Sequence, residues 1–126
     1  MIRIYGLKEP LTHIKTKLSE QIHLAMVAAL DFPEHQRVHL FFPLEEDDFF
    51  LPGGRSSAYT LIEISIMKGR SEGAKKNLIH LLFKNAQSIG IAPIDLEVVL
   101  SEQPACNWGF RGITGDEAKL SYKIEL

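Results

Sequence analysis

Residues 59–67 read YTLIEISIM. Within this stretch Ile62, Ile64 and Ile66 alternate with polar residues, which is the period-two pattern of a strand that buries one face. No glycine or proline interrupts the alternation, so the pattern predicts one continuous strand over residues 59–67.

A helix and a further strand follow this first predicted strand. Ser71 is well placed as a helix N-cap, and Gly90 marks the end of the helical segment. The apolar positions between them have helical spacing: Ala74, Leu78, Leu81, Leu82 and Ile89. Residues 96–101 then predict another strand. A helix of this length serves as a crossover, so the two strands are expected to pair in parallel.

The same order of elements occurs about 60 positions earlier in the chain, where residues 2–7 predict a strand, a helix runs to about Leu30, and residues 36–42 predict a strand. Eight residues of the first copy recur at this offset: Ile2, Ile4, Lys8, Lys15, Leu18, Pro33, Val38 and Leu40. The chain is therefore predicted to be one α/β (α+β) domain over residues 1–126, with repeat halves of about 1–43 and 59–101. Two β-α-β units would form a four-stranded mixed sheet with both helices on one face.

Two further patterns concern the edges and faces of this sheet. Apolar residues occur on both faces of the predicted strands, so we expect the face without helices to be covered by oligomerisation. Near the end of the chain, apolar or aromatic residues alternate at Leu120, Tyr122, Ile124 and Leu126. They predict a C-terminal strand that closes an edge or crosses to a neighbouring subunit.

The composition, with 45% hydrophobic and 24% charged residues, is that of an ordinary globular protein. A net charge of −2 does not favour nucleic-acid binding, which requires a basic excess or a basic stripe. Cys106 is the single cysteine, so it cannot form an intramolecular disulfide, and we expect it to be packed. The chain has neither the apolar block of a signal peptide nor the roughly 20 apolar residues of a membrane span, so it is predicted to be cytoplasmic.

Four motifs occur in order in the second half: Gly54-Arg55-Ser56-Ser57-Ala58, Lys68-Gly69-Arg70-Ser71-Glu72, Gly90-Ile91-Ala92-Pro93-Ile94-Asp95 and Asn107-Trp108-Gly109-Phe110. With these motifs the chain resembles the malonate semialdehyde decarboxylases of the tautomerase superfamily over nearly its whole length. The resemblance implies a homotrimer in which three sheets face inward as a barrel. That arrangement agrees with the uncovered sheet face predicted above.

The resemblance also implies a site at the start of the first strand, where family enzymes use an N-terminal proline amine as acid or base. This chain begins Met1-Ile2, and initiator methionine is normally removed only before a small residue, so Met1 is expected to remain. The Met1 primary amine, with a reference pKa of about 7.7 to 8.0, is the catalytic candidate as a weak base or imine-forming group. The resemblance implies that Gln36 occupies the position of the decarboxylase's water-activating aspartate. An amide cannot act as a base, so Gln36 is predicted to be a substrate-binding residue.

Lys68 and Arg70 are the candidate carboxylate-binding residues. They are two apart at the end of a predicted strand, just before the helix capped by Ser71, so both should project to one side near free backbone N–H groups. The family pattern has two substrate-binding arginines here, so Arg70 matches and Lys68 differs. The alternative is two solvated charges at a strand end.

Trp108 and Phe110 match the aromatic wall of the family's pocket, although packing in the core or at a subunit interface would also explain two large aromatics. Arg111 either adds a cation to the site or is a turn residue that faces water. No metal or cofactor is predicted, because His35 and His39 are too far apart to share a metal and no glycine-rich phosphate motif follows a strand.

These candidates predict a protein that binds a small carboxylate or a keto or enol acid, with weak tautomerase or decarboxylase activity. One alternative is a non-catalytic homotrimeric binding or assembly protein that has lost the proline-dependent chemistry. Another is a ferredoxin-like regulatory or RNA-binding domain, with antiparallel pairing at the sheet centre. RNA binding would require exposed aromatics and a basic face, whereas the predicted sheet positions are largely aliphatic.

Overall fold

The computed structural model describes residues 1–120 and 124, and its elements follow the predicted order. The first unit comprises β1 (Ile2–Leu7), α1 (Lys8–Leu30) and β2 (His39–Leu44). The second comprises β3 (Thr60–Met67), α2 (Glu72–Gln87) and β4 (Leu96–Gln103). A small antiparallel sheet of β5 (Gly109–Phe110) and β6 (Ile113–Thr114) follows them.

The strand order of the main sheet is β2-β1-β3-β4. Strands β1 and β2 pair in parallel, as do β3 and β4, whereas β1 and β3 pair antiparallel at the centre. The predicted mixed sheet of two β-α-β units is thereby confirmed. An antiparallel centre does not by itself exclude the ferredoxin-like alternative. That architecture, however, splits its β-α-β units, whereas here each unit keeps its two strands adjacent.

Both helices pack on one face of the sheet. Ile4, Ile62 and Ile64 are at most 1% exposed on that face, where they pack with Leu18 of α1 and Leu78 of α2. This burial confirms the alternation seen in the sequence, because the intervening residues of β3 are only partly buried. Within the described residues, neither helix is apolar enough over the required length to cross a bilayer.

The opposite face of the sheet has no helix against it in the part of the chain that the structure describes. Leu40, Phe42 and Val99 on this face are 38% to 44% exposed. The Tyr5 and Phe42 rings stack there with centroids 4.8 Å apart. Apolar surface on this face agrees with the expectation that both faces of the strands carry apolar residues.

Several details differ from the sequence predictions. Strand β2 begins at His39 rather than at residue 36, because Gln36 N–H donates to the Pro33 carbonyl in a turn. Strand β4 extends two residues further, to Gln103. Cys106 is exposed instead of packed. The predicted C-terminal strand falls on residues 120–126, most of which lie outside the described residues.

Candidate functional site

The antiparallel pairing of β1 with β3 brings the start of the chain to the end of β3. The Met1 amino group donates to the Ser65 carbonyl at 3.1 Å, and Ser65 N–H donates to the Met1 carbonyl at 2.9 Å. Arg70 follows β3, and its Nη1 donates to the Met67 carbonyl at 2.9 Å. The first residue of the chain and the connection between β3 and α2 therefore meet at one end of the sheet.

A cavity of about 480 Å³ opens at this end. Its lining comes from both units and from the β5–β6 hairpin: Met1, Phe32, Gln36, Val38, Ser65, Ile66, Met67, Arg70, Trp108, Gly109, Phe110, Arg111 and Leu120. Five of the six sequence candidates are among these residues. Lys68 is not, so the structure gathers the predicted site without that lysine.

The Met1 amine has a pKa below its ordinary value of 8.0, first because burial disfavours the charged form and second because of the nearby Arg3 guanidinium. Arg3 also donates to Ser65 Oγ at 3.4 Å, which keeps its charge at this end of the sheet. A lowered pKa increases the neutral fraction of the amine near pH 7. A neutral amine is the form that accepts a proton or attacks a carbonyl.

Arg70 is only 6% exposed and lies at the wall of the cavity. Its guanidinium carbon is 5.8 Å from the centre of the Phe32 ring, a cation–π distance. Phe32 reaches this position because α1 ends in a left-handed residue, Asp31 (φ 55°), after which the chain turns back towards the sheet. The sequence identified the helix end at this point but did not identify Phe32 as a contact of the arginine.

Lys68 differs from Arg70 in its surroundings. It is exposed, and its charge helps Lys75 to hold the pKa of the Glu102 carboxyl below its usual value. Strand β3 ends at Met67, and Gly69 has a φ of 147°, so the strand alternation that placed both cations on one side does not continue through residue 70. The role of Lys68 in carboxylate binding stays a prediction.

Gln36 lines the cavity from the turn between α1 and β2. Its side-chain amide can donate and accept hydrogen bonds but has no basic group. Val38 beside it is 60% exposed and adds apolar surface to the same wall.

The far wall is the β5–β6 hairpin, which contributes Trp108, Phe110 and Arg111. The Trp108 carbonyl accepts a hydrogen bond from Gly115 N–H at 2.8 Å, and this contact ties the two ends of the hairpin together. Both predicted aromatics line the cavity. Arg111 lies beside them, with its guanidinium carbon 5.1 Å from the Phe110 ring centre.

The lining combines two guanidinium groups and an amine, and none of its described members is an aspartate or glutamate. The whole chain has a net charge of −2, so the cationic lining is a local feature. Such a cavity favours anions small enough to fit between the aromatic wall and the sheet.

Comparisons with known proteins agree with this architecture. The family described as "Tautomerase enzyme" matches residues 36–111. A malonate semialdehyde decarboxylase structure shares 27% identity at a TM-score of 0.79, over 87% of this chain and 89% of that one. A fused 4-OT, solved as an asymmetric trimer, shares 23% identity at a TM-score of 0.80, over 91% of this chain and 95% of that one. A member of the cis-3-chloroacrylic acid dehalogenase family shares 18% identity at a TM-score of 0.78, over 90% and 81%.

Proposed function

Because the chain belongs to the tautomerase family, we propose that it binds a small keto or enol carboxylate in this cavity and moves a proton on it with the Met1 amine. One observation supports the proposal most strongly: the amine, Arg70 and the aromatic pair Trp108 and Phe110 line a single cavity. Each had been a candidate from the sequence for a different part of the same chemistry.

The chemistry divides between the residues as follows. Arg70 binds the ligand carboxylate, because a guanidinium matches its two oxygens, and the low exposure of Arg70 strengthens the attraction. In one direction the neutral Met1 amine removes a proton from the carbon beside the keto group, which gives an enolate. In the reverse direction the protonated amine returns the proton to that carbon. Negative charge on the enolate is stabilised by the surrounding cations.

Decarboxylation is the second reaction that this lining supports. The Met1 amine would condense with a carbonyl to form an imine and release water, and the imine would accept the electron pair that is left as carbon dioxide departs. Hydration by a general base is not supported at Gln36, because an amide does not take a proton from water at neutral pH.

We further propose that three copies assemble through the sheet face opposite the helices. The fused 4-OT structures are trimers, and the exposed Leu40, Phe42 and Val99 give this face the apolar surface that such an assembly would bury. Light scattering coupled to gel filtration tests the proposal: three times the chain mass of 14.2 kDa is expected, and a monomer would refute it.

The test of catalysis is ketonisation of phenylpyruvate or 2-hydroxymuconate, before and after acetylation of the Met1 amine. Its lowered pKa makes the amine more reactive than lysine side chains near pH 6.5, and intact mass and peptide mapping identify the modified group. Acetylation is expected to reduce turnover by at least about 100-fold. Turnover that survives complete acetylation removes Met1 from the mechanism.

A non-catalytic binding or assembly protein is the second candidate function. The absence of the family's proline at position 1 and the presence of Gln36 favour it. It predicts carboxylate binding that Arg70→Ala abolishes, with no turnover in either the native protein or the Lys68→Ala variant. Turnover lost in Arg70→Ala would instead support the enzyme.

A further inference from the structure

Arg111 occupies a backbone conformation that few side chains adopt. The β5–β6 hairpin has a two-residue turn, in which Arg111 has a φ of 53° and Gly112 a φ of 80°. Two positive φ angles define a type I′ turn, which favours Asn, Asp or Gly at both positions. Gly112 meets this preference at no steric cost, whereas an arginine with a positive φ is strained. Strain of this kind concentrates at functional sites.

The turn holds Arg111 against the cavity. Its guanidinium lies over the Phe110 ring at 5.1 Å, and both residues belong to the lining. Arg111 is exposed while Arg70 is 6% exposed, so the two guanidiniums lie at different depths of the same cavity. No carboxylate of the described residues forms an ion pair with Arg111.

We propose that Arg111 is a second anion-binding residue, placed at the mouth of the cavity, and that it selects ligands with a carboxylate at each end. The inference rests on the proposed function, since Arg70 must hold the first carboxylate. A ligand with one carboxylate satisfies Arg70 and leaves Arg111 solvated, whereas a dicarboxylate satisfies both. A volume of about 480 Å³ lies within the usual range of small-ligand sites and accommodates a diacid of five or six carbons.

The turn also provides a clean variant. Asn is favoured in a type I′ turn and carries no charge, so Arg111→Asn removes the cation while relieving the backbone strain. Arg111→Lys keeps the charge but loses the planar fork that matches a carboxylate. Lys17→Gln is the control for loss of one surface charge, because Lys17 is exposed on α1 and lies outside the lining.

The experiment measures Kd by titration calorimetry for matched pairs of acids: 2-oxoglutarate against 2-oxopentanoate, and 2-oxoadipate against 2-oxohexanoate. Each pair has the same carbon chain and differs in the terminal carboxylate. The native protein is expected to bind the diacids at least about tenfold more tightly, because a charge-assisted hydrogen bond is gained. Arg111→Asn should weaken binding of the diacids at least about tenfold more than binding of the monoacids, which removes this preference. Lys17→Gln should keep the preference.

The outcomes separate the two proposals. Equal affinity for the paired acids in the native protein overturns the role of Arg111, while monoacid binding that depends on Arg70 leaves the proposed function standing. A diacid preference that survives in Arg111→Asn also overturns the role proposed for Arg111. If neither class of acid binds the native protein, both proposals are wrong. A melting temperature of Arg111→Asn at or above that of the native protein shows that folding is intact.

Discussion

The duplicated sheet has two related ends, and they carry opposite charge. At one end the start of β1 meets the end of β3 beside α2, and the cavity there is cationic. At the other end Gly6 of β1 pairs with Thr60 of β3 beside the start of α1, and an open cavity of about 1010 Å³ lies there. Four of the residues that line this second cavity are acidic: Glu9, Glu45, Glu46 and Asp47.

The difference arises in the connection between strand and helix. Helix α1 begins at Lys8, directly after β1, whereas β3 ends at Met67 and α2 begins only at Glu72. This additional connection contains Arg70, whose counterpart in the first repeat is Pro10. The comparison shows that a duplicated scaffold can give two similar positions opposite chemistry by changing a few residues between elements.

Gly115→Ala should cause the largest loss of stability at the cationic end. A Cβ at Gly115 would clash with the Ala105 carbonyl oxygen and come within 3.1 Å of Trp108 Cβ, so the backbone that supports the hairpin would have to move. We expect the free energy of unfolding to fall by about 3 kcal/mol in urea denaturation. Gly6→Ala at the acidic end is the control, because its Cβ would meet Leu11 at an ordinary 3.5 Å. Equal losses in the two variants would contradict the prediction.

Arg70→Ala should remove anion binding at the cationic end. Loss of a buried guanidinium is expected to weaken 2-oxopentanoate binding by about 100-fold, close to 2.7 kcal/mol. Lys8→Ala at the acidic end should leave the affinity unchanged, since Lys8 is exposed and pairs with Glu45 at 3.4 Å. Arg70→Lys should retain part of the affinity and guards against a folding defect in the alanine variant. Similar losses in Lys8→Ala and Arg70→Ala would show that the two ends do not differ in anion binding.

His39 should make the cationic end sensitive to acid. Burial first, then Arg37, His23 and the N-terminal amine, lower its pKa from 6.5 to about 4. The unfolded chain therefore binds a proton below pH 6.5 that the folded protein does not, so stability present above pH 6.5 is lost as the pH falls towards 4. Because the imidazole is only partly buried and solvent screens its charge, we expect His39 to account for a loss of about 1.5 kcal/mol between pH 7.5 and 5.

The measurement is urea denaturation at both pH values for the native protein and for His39→Gln, which should show a smaller loss. His13→Gln at the acidic end should behave like the native protein, because His13 is exposed beside Glu9. An unchanged pH dependence in His39→Gln would refute this origin.

Ser71→Ala should have the smallest effect. The Ser71 hydroxyl accepts from Ala74 N–H at 3.1 Å and caps α2, whereas α1 begins without a side-chain cap. Loss of an N-cap is expected to cost about 1 kcal/mol and to lower the melting temperature accordingly. Ser57→Ala, an exposed serine of the acidic cavity, should change it little. A larger shift for Ser57→Ala would mean that capping is not what separates the two helix starts.

Periodicity was sufficient to locate the strands and helices, because alternation and helical spacing record which face each segment buries. The order of the elements then fixed parallel pairing within each unit. Neither pattern gave the start of β2 correctly, because a single turn hydrogen bond from Gln36 N–H to the Pro33 carbonyl decides where the extended chain begins. The position of Lys68 was predicted wrongly for a similar reason. The φ of Gly69 ends the strand alternation, and that angle is a local property that the residue pattern does not contain.

Most of the candidate site was also accessible from the sequence, through the family resemblance and the position of the cations. Ser65 and Phe32 were missed for different reasons. Ser65 reaches the cavity only because the antiparallel register of β1 and β3 sets it beside Met1. Phe32 reaches it because the left-handed Asp31 reverses the chain after α1. Both depend on long-range geometry, which residue spacing does not determine.

The paired hydrogen bonds between Met1 and Ser65 have a practical consequence for recombinant work. An affinity tag or fusion partner joined before Met1 would convert the amine into an amide and start its linker at the wall of the cavity. Purification handles therefore belong elsewhere in the chain, or must be cleaved without leaving extra residues, before ligands are titrated or crystals are soaked.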